Sequence, residues 1–269
     1  MQKIANLKKE LPWMLVLAQK TITREIQLQD AMSFFYARLK HFRISFTLHG
    51  LHFPQKSQEI WELARNIFLH NEYDLERFEL KETSVIVDVG AHQGAFVALA
   101  ATITHGDILA FEPEIQNFSL LKTFIEKNHL SNVKAFNTAI GASKGQKTLY
   151  LAEKSTRHSL YSKDVLSGKQ IKNGCTVEVV TLDEVLKSLK SIDLLKLDCE
   201  GAEIEIIRNT SSDAYRKINA IIIEYHGYSN DEAFKEITNT LYKEGYKIEF
   251  TPMAANIPLG IICATKAIS

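Results

Sequence analysis

Val85-Ile86-Val87-Asp88-Val89-Gly90-Ala91-His92-Gln93-Gly94 joins an apolar run to a glycine loop, and a helix-like stretch, Phe96 to Thr102, follows it. Consecutive Val and Ile residues suit a strand buried on both faces, because a strand with one wet face would alternate. Gly90 and Gly94 remove side chains where the backbone must turn sharply and approach a neighbour closely. The same rhythm repeats outward. Ile108-Leu109-Ala110-Phe111, Val133-Lys134-Ala135-Phe136, Leu194-Leu195-Lys196-Leu197 and Ala220-Ile221-Ile222-Ile223 each read as a buried strand. Asn117 to Asn128, Leu182 to Leu189 and Ala202 to Asn209 supply helices between them. Strands alternating with helices predict an open α/β fold, a mostly parallel sheet with helices on both faces. After a helix over Asp231 to Tyr242, Tyr246 to Thr251 and Leu259 to Thr265 are expected as a hairpin closing one edge.

Upstream the pattern is different. Over residues 1 to about 42, Leu11, Met14, Leu15 and Ala18 share one helical face, and Ile26, Leu28, Met32, Phe35 and Leu39 continue it. Ile44 to Leu48 alternates and meets Gly50, which predicts a short strand and turn; Glu59 to Leu69 is helical again. Residues 1–66 are thus expected as a mainly helical extension and 67–269 as the α/β domain. The 269 residues carry 32 basic and 32 acidic side chains. That balance argues against a nucleic-acid partner bound through a bulk basic field. Cys175, Cys199 and Cys263 form no CxxC pair, so a disulfide scaffold or zinc ribbon is not expected. Leu11 to Ala18 is far shorter than the roughly 20 residues of a membrane span, and no small-residue cleavage site follows it. A soluble, cytoplasmic protein is expected.

In such a sheet, ligands bind beyond the carboxyl ends of the strands. Acids stand there repeatedly: Asp88, Glu112, Asp198 with Glu200, and Glu224. The loop Asp88 to Gly94 lacks the G-x-G-x-x-G spacing of a dinucleotide site, and Asp88 would repel a pyrophosphate. A carboxylate there suits an ammonium group, so S-adenosylmethionine fits this loop better than NAD. Glu112, at the end of the second strand and followed by Pro113, can accept hydrogen bonds from both ribose hydroxyls.

Asp88-Val89-Gly90-Ala91-His92-Gln93-Gly94, Phe111-Glu112-Pro113, Thr181-Leu182-Asp183-Glu184 and above all Lys196-Leu197-Asp198-Cys199-Glu200-Gly201-Ala202-Glu203 resemble the FkbM methyltransferase family. Ile67-Phe68-Leu69 and Glu72-Tyr73-Asp74 add to the likeness, which runs from about Ile67 to His226. The resemblance implies a Rossmann-like class I methyltransferase with a seven-stranded sheet, and O-methylation of hydroxyls on sugars or other small molecules. His92 departs from it, since the family usually has Asn there. Onto this chain it carries cofactor binding by Asp88, Gly90, Ala91, His92, Gly94, Glu112 and Pro113.

Methyl transfer from a sulfonium needs the nucleophile aligned, water excluded and a proton received. Period-two alternation puts Leu194, Lys196 and Asp198 on one strand face and Leu195 and Leu197 on the other. Asp198 is the first candidate for contacting substrate, cofactor or both, Lys196 the second, either as its counter-ion or as a base of lowered pKa, and Glu200 the third. His226 is a further candidate base. Asp198, Glu224 and His226 could together hold a divalent cation, but no close ligand spacing supports one and no metal is assigned. Thr181 to Glu184 matches a capping box. The polar stretch between Leu151 and Gly174, with Ser155-Thr156-Arg157-His158-Ser159, would suit a substrate lid or a surface loop. A nicotinamide-dependent oxidoreductase and a non-catalytic nucleoside-binding module remain as alternatives. The acceptor, expected to be a small-molecule or glycan hydroxyl, and the oligomeric state are not encoded in any motif.

Overall fold

Buried on both faces, the central strands leave their side chains only two places to go, and alternate residues build two separate cores. The computed structural model describes residues 2–41, 44–54, 57–162, 169–226, 231–253 and 259–266, with side chains from Pro12 onward. The Leu11 side chain, residues 163–168 of the expected lid and residues 254–258 lie outside the described residues. The N-terminal part comprises α1 (Gln2–Ile22), α2 (Leu28–Leu39), the hairpin β1 (Phe46–Leu48) and β2 (Leu51–Phe53), and α3 (Gln58–Ala64), which runs on as a π-helical turn, Arg65–Leu69. Next come β3 (Ile86–Val89), α4 (Ala95–Ile103), β4 (Ile108–Phe111), α5 (Ile115–Lys127) and β5 (Val133–Phe136). A small sheet follows, made of β6 (Ala139–Ile140), β7 (Gly145–Tyr150) and β8 (Gly174–Val180). The chain returns through α6 (Leu182–Lys187), β9 (Ile192–Leu197), α7 (Glu203–Asn209), α8 (Ser212–Arg216), β10 (Ile218–Tyr225), α9 (Glu232–Lys243), β11 (Tyr246–Pro252) and β12 (Gly260–Lys266).

The main sheet has seven strands in the order β11-β12-β10-β9-β3-β4-β5. β3, β4, β5, β9 and β10 run parallel; β12 is antiparallel to both of its neighbours. The C-terminal hairpin does close an edge, but its second strand inserts between β11 and β10 and leaves β11 outermost. This order is the class I methyltransferase sheet, and the fold expected from the resemblance is the fold observed. Ile86, Ile108, Leu194 and Ile222 enter one core with α4, α5 and the N-terminal helices. Val87, Leu109, Leu195, Leu197 and Ile221 enter the other, under α6, α7, α8 and α9. The N-terminal helices therefore complete a layer on the first face. Positions 66 and 67, where the extension was expected to end, fall inside the helical run from Gln58 to Leu69.

The apolar faces expected on α1 and α2 are corrected. Leu15 and Ala18 are exposed, while Trp13 and Leu17 are buried. On α2, Leu28, Met32 and Leu39 face solvent, and Asp30, Ala31, Phe34 and Ala37 are buried. Hydrogen bonding explains the choice between the two faces. Asp30 Oδ2 accepts the Gly50 N–H at the hairpin turn (2.8 Å), and Ser33 Oγ accepts the Thr47 N–H (3.0 Å). Turning α2 over would strand both donors. Phe34 then stacks on Trp61 at 4.6 Å between centroids, and Trp61 Nε1–H donates to the Phe34 carbonyl. The strands β7 and β8 were also absent from the sequence reading; only Leu149, Val177 and Val179 of the pair are buried, so their apolar signal is thin. Among the described residues no helix is long and apolar enough to cross a membrane.

Candidate active site

Parallel pairing sets the centre of the site. β3 and β9 align Asp88 directly beside Lys196, and both lie at the carboxyl ends of their strands. Lys196 Nζ is 3.1 Å from Asp88 Oδ1 and 3.2 Å from Asp198 Oδ2, and donates to the Gly90 carbonyl at 3.1 Å. The Tyr73 and Phe96 rings flank the same ammonium at 5.9 and 5.5 Å. Burial disfavours the charge on Lys196, but Asp88 and Asp198 outweigh it and hold its pKa above the ordinary value. The alternative of Lys196 as a base of lowered pKa is therefore corrected: it is a counter-ion. Asp88 is fully buried against Lys196 and does not line the cavity. Asp198 does, with its side chain 23% exposed and one flank fixed by the ammonium.

The glycine loop fits closely against this pair. Gly90 has φ 83°, and a Cβ placed there would lie 1.8 Å from the Asp198 carbonyl oxygen, so no side chain is compatible with the approach of the two strand ends. Gly94 instead makes room for Leu121 and Phe124 of α5 and lies outside the cavity. Gly90, Ala91, His92, Glu112 and Pro113 all line the cavity, with Lys196, Asp198 and Glu200. Glu112 Oε2 accepts the His92 N–H (2.9 Å), and Oε1 accepts the Glu114 N–H (2.8 Å). Its burial pushes its carboxyl up to about 7. The cavity, including its opening to solvent, encloses about 850 Å³. Apolar walls come from Phe111, Ile140, Leu149 and Leu160. A carboxylate beside loop backbone, an apolar slot and an open carboxylate at Asp198 match the ribose, adenine and sulfonium ends of S-adenosylmethionine.

Acidic side chains gather around Asp198. Glu72 is pushed up to about 7 by burial first and by Asp198 second. Glu224 is raised by the same two causes in the same order, and Tyr73 donates its hydroxyl proton to Glu224 Oε2 at 3.3 Å. His226 Nε2 is 3.3 Å from Glu200 and Nδ1 is 3.5 Å from Glu203. Burial opposes a charged ring, but the two glutamates prevail and raise its pKa well above the ordinary value. The raised pKa and the two neighbouring carboxylates argue against its expected role as a free base. Glu203 is itself fixed, accepting the Cys199 and Gly201 N–H groups at 2.7 and 2.9 Å. Asp198, Glu224 and His226 do converge, with ligating atoms within 4.8 Å of one another, a grouping their sequence spacing does not disclose. The capping box is formed: Thr181 Oγ accepts the Glu184 N–H, and Glu184 Oε2 accepts the Thr181 N–H, both at 3.2 Å.

Several lining or supporting residues escaped the sequence reading. Tyr73 entered only through the family likeness, and Phe96 carried no signal beyond apolarity. Ser155, Thr156 and His158, in the polar stretch expected as a lid or a surface loop, line the cavity, and Glu59 of α3, not singled out by the sequence, reaches Ser155. Only the fold brings these stretches together.

A profile of the methyltransferase FkbM domain matches residues 88–248 of this chain. Methyltransferase 1 of Beauveria bassiana (strain ARSEF 2860) is 26% identical over 213 residues, covering 72% of this chain and 84% of its own. The 31-O-demethyl-FK506 methyltransferase FkbM of Streptomyces tacrolimicus is 23% identical over 235 residues, covering 76% and 89%. Among solved structures, a methyltransferase FkbM from Methylobacillus flagellatus KT aligns at 13% identity with a TM-score of 0.47, covering 97% of this chain and 60% of that chain.

Proposed function

The chain belongs to the FkbM methyltransferase family and uses S-adenosylmethionine, and from that premise we propose that it methylates a hydroxyl oxygen of an uncharged small molecule or sugar. Family membership displaces the nicotinamide-dependent oxidoreductase. Bound S-adenosylmethionine supplies an electrophilic methyl group. The chain's own residues do the rest. Lys196, anchored by Asp88 and the Gly90 carbonyl, fixes one flank of Asp198 and holds it aimed at the cavity. Asp198 accepts a hydrogen bond from the acceptor hydroxyl, orients its oxygen and takes its proton as the new bond forms. Glu112 binds the ribose, and Phe96 and Tyr73 shield Lys196 from water. Glu200, held by His226, lines the acceptor side. Residues 1–66 act as a helical extension that adds Leu63 to the cavity wall, and supports it through Glu59 bonded to Ser155, on the domain formed by 67–269.

The observation that carries the proposal is the Asp88–Lys196–Asp198 chain, which ends in one accessible carboxylate inside the cavity. The one lysine that lines the cavity, Lys196, is already paired with Asp88 and Asp198, which leaves no ammonium there for an anionic acceptor. The test is incubation with S-adenosylmethionine carrying a deuterated methyl group and matched neutral, phosphorylated and carboxylated sugars and polyols. The expected product is a deuterated methyl ether of a neutral acceptor. Methylation at nitrogen, or preference for the anionic set, would overturn the proposal.

A further inference from the structure

Glu59, Ser155 and His92 come from α3, the turn after β7 and the glycine loop, and they meet in one hydrogen-bonded chain. Ser155 Oγ is 2.5 Å from Glu59 Oε2, and the Ser155 N–H donates to Glu59 Oε1 at 3.1 Å. His92 Nε2 is 2.7 Å from the same Oγ. A carboxylate only accepts, so the single hydroxyl proton of Ser155 goes to Glu59. Toward His92 the Ser155 oxygen is then an acceptor, and the proton of that bond has to come from Nε2. The ring is neutral, because burial brings its pKa down to about 4. A neutral imidazole protonated on Nε2 carries a bare lone pair on Nδ1.

That Nδ1 is closed to solvent and has no hydrogen-bond partner among the described residues, although His92 lines the cavity. A buried acceptor without a donor is a standing penalty that a ligand can relieve. The position of the ring indicates which part of the ligand. The backbone N–H of His92 donates to Glu112 Oε2, which puts the residue at the ribose end of the site. Glu112 already takes two backbone N–H groups, and the ribose offers two hydroxyl protons, so an acceptor beside it can share them.

We infer that His92 Nδ1 accepts a hydrogen bond from a ribose hydroxyl of the cofactor, with Ser155 and Glu59 as positioning residues that fix the Nε2–H tautomer. This rests on S-adenosylmethionine occupying the cavity as proposed above. Glu59 of the extension is thereby linked to the cofactor through Ser155 and His92.

The test is calorimetric titration with S-adenosylhomocysteine and with its 2′-deoxy and 3′-deoxy counterparts, on the wild type, His92→Ala and His92→Asn. Nitrogen-15 NMR of the wild-type and Ser155→Ala imidazoles reports the tautomer. Removal of one hydrogen bond corresponds to a roughly tenfold loss of affinity. Expected are that loss for His92→Ala with the parent thioether, no further loss for one of the deoxy compounds, and partial recovery in His92→Asn, whose side-chain oxygen accepts. The free wild-type ring should be protonated on Nε2, and Ser155→Ala should give a mixture of tautomers. Unchanged affinity in His92→Ala, equal further loss with both deoxy compounds, or a wild-type ring protonated on Nδ1 would overturn the inference while leaving the cofactor assignment intact. A wild type that binds no S-adenosylhomocysteine would remove that assignment and the inference with it.

Discussion

Lys196 holds two carboxylates that would otherwise repel each other across the ends of β3 and β9. Replacing it by Met keeps much of its volume and leaves Asp88 buried without a counter-charge. Such a break costs about 3–5 kcal/mol, so Lys196→Met should show a large drop in the denaturation midpoint. Lys196→Met combined with Asp88→Asn should recover part of it. His92 makes a different prediction at the same scale. Its pKa is lowered to about 4 by burial, against an ordinary value of 6.5. The unfolded chain therefore binds a proton that the folded chain refuses between those values, and stability falls as pH drops through 6.5 toward 4. At pH 5 the difference from neutrality is on the order of 2 kcal/mol. Urea titrations should show His92→Asn losing less stability than wild type between pH 7.5 and pH 5, and equal slopes would count against the buried neutral ring.

Elements differ in how openly the sequence announces them. The parallel strands were legible because burial on both faces leaves uninterrupted runs such as Ile108 to Phe111, and because turns and caps punctuate them. The strand-end acids were legible for a related reason: in a parallel sheet all carboxyl ends share one side, so Asp88, Glu112 and Asp198 could be gathered without coordinates. The orientation of α2 was not legible. Its larger apolar residues suggest one face, yet Asp30 and Ser33 must reach the backbone of the β1–β2 hairpin, and that demand comes from outside the helix. Asp30→Ala should accordingly destabilise the protein by about 1–3 kcal/mol by leaving a donor unsatisfied. Met32→Lys, on the face expected to be buried, should stay within about 0.5 kcal/mol of wild type. Equilibrium unfolding separates the two, and the reverse order would contradict the observed packing. The meeting of Glu59 with Ser155 was illegible for the same reason as α2: 96 positions separate them in sequence.

Across the whole molecule, one core joins the N-terminal helices to the sheet. Trp13, Phe34 and Trp61 belong to the same buried cluster as Ile86, Leu194 and Ile222. Trp13 meets Trp61 edge-on at 5.1 Å, and Phe53 lies 5.0 Å from Phe124 of α5. A chain lacking residues 1–41 would expose Trp61 and Phe46, and should lose cooperative unfolding and near-ultraviolet circular dichroism. A sharp transition at the wild-type midpoint would show that the α/β part stands alone. The same shared core explains why Glu59 can be held rigidly enough to position Ser155.

The chemistry depends on Asp198, paired with Lys196 and open to the cavity. The most direct measurement is turnover by Asp198→Asn beside its affinity for S-adenosylhomocysteine. Asn keeps the shape and removes the proton acceptor, so turnover should fall by about 10²–10⁴-fold, with affinity for the thioether nearly unchanged. Turnover within a few-fold of wild type would contradict the assignment and move the proton to another group.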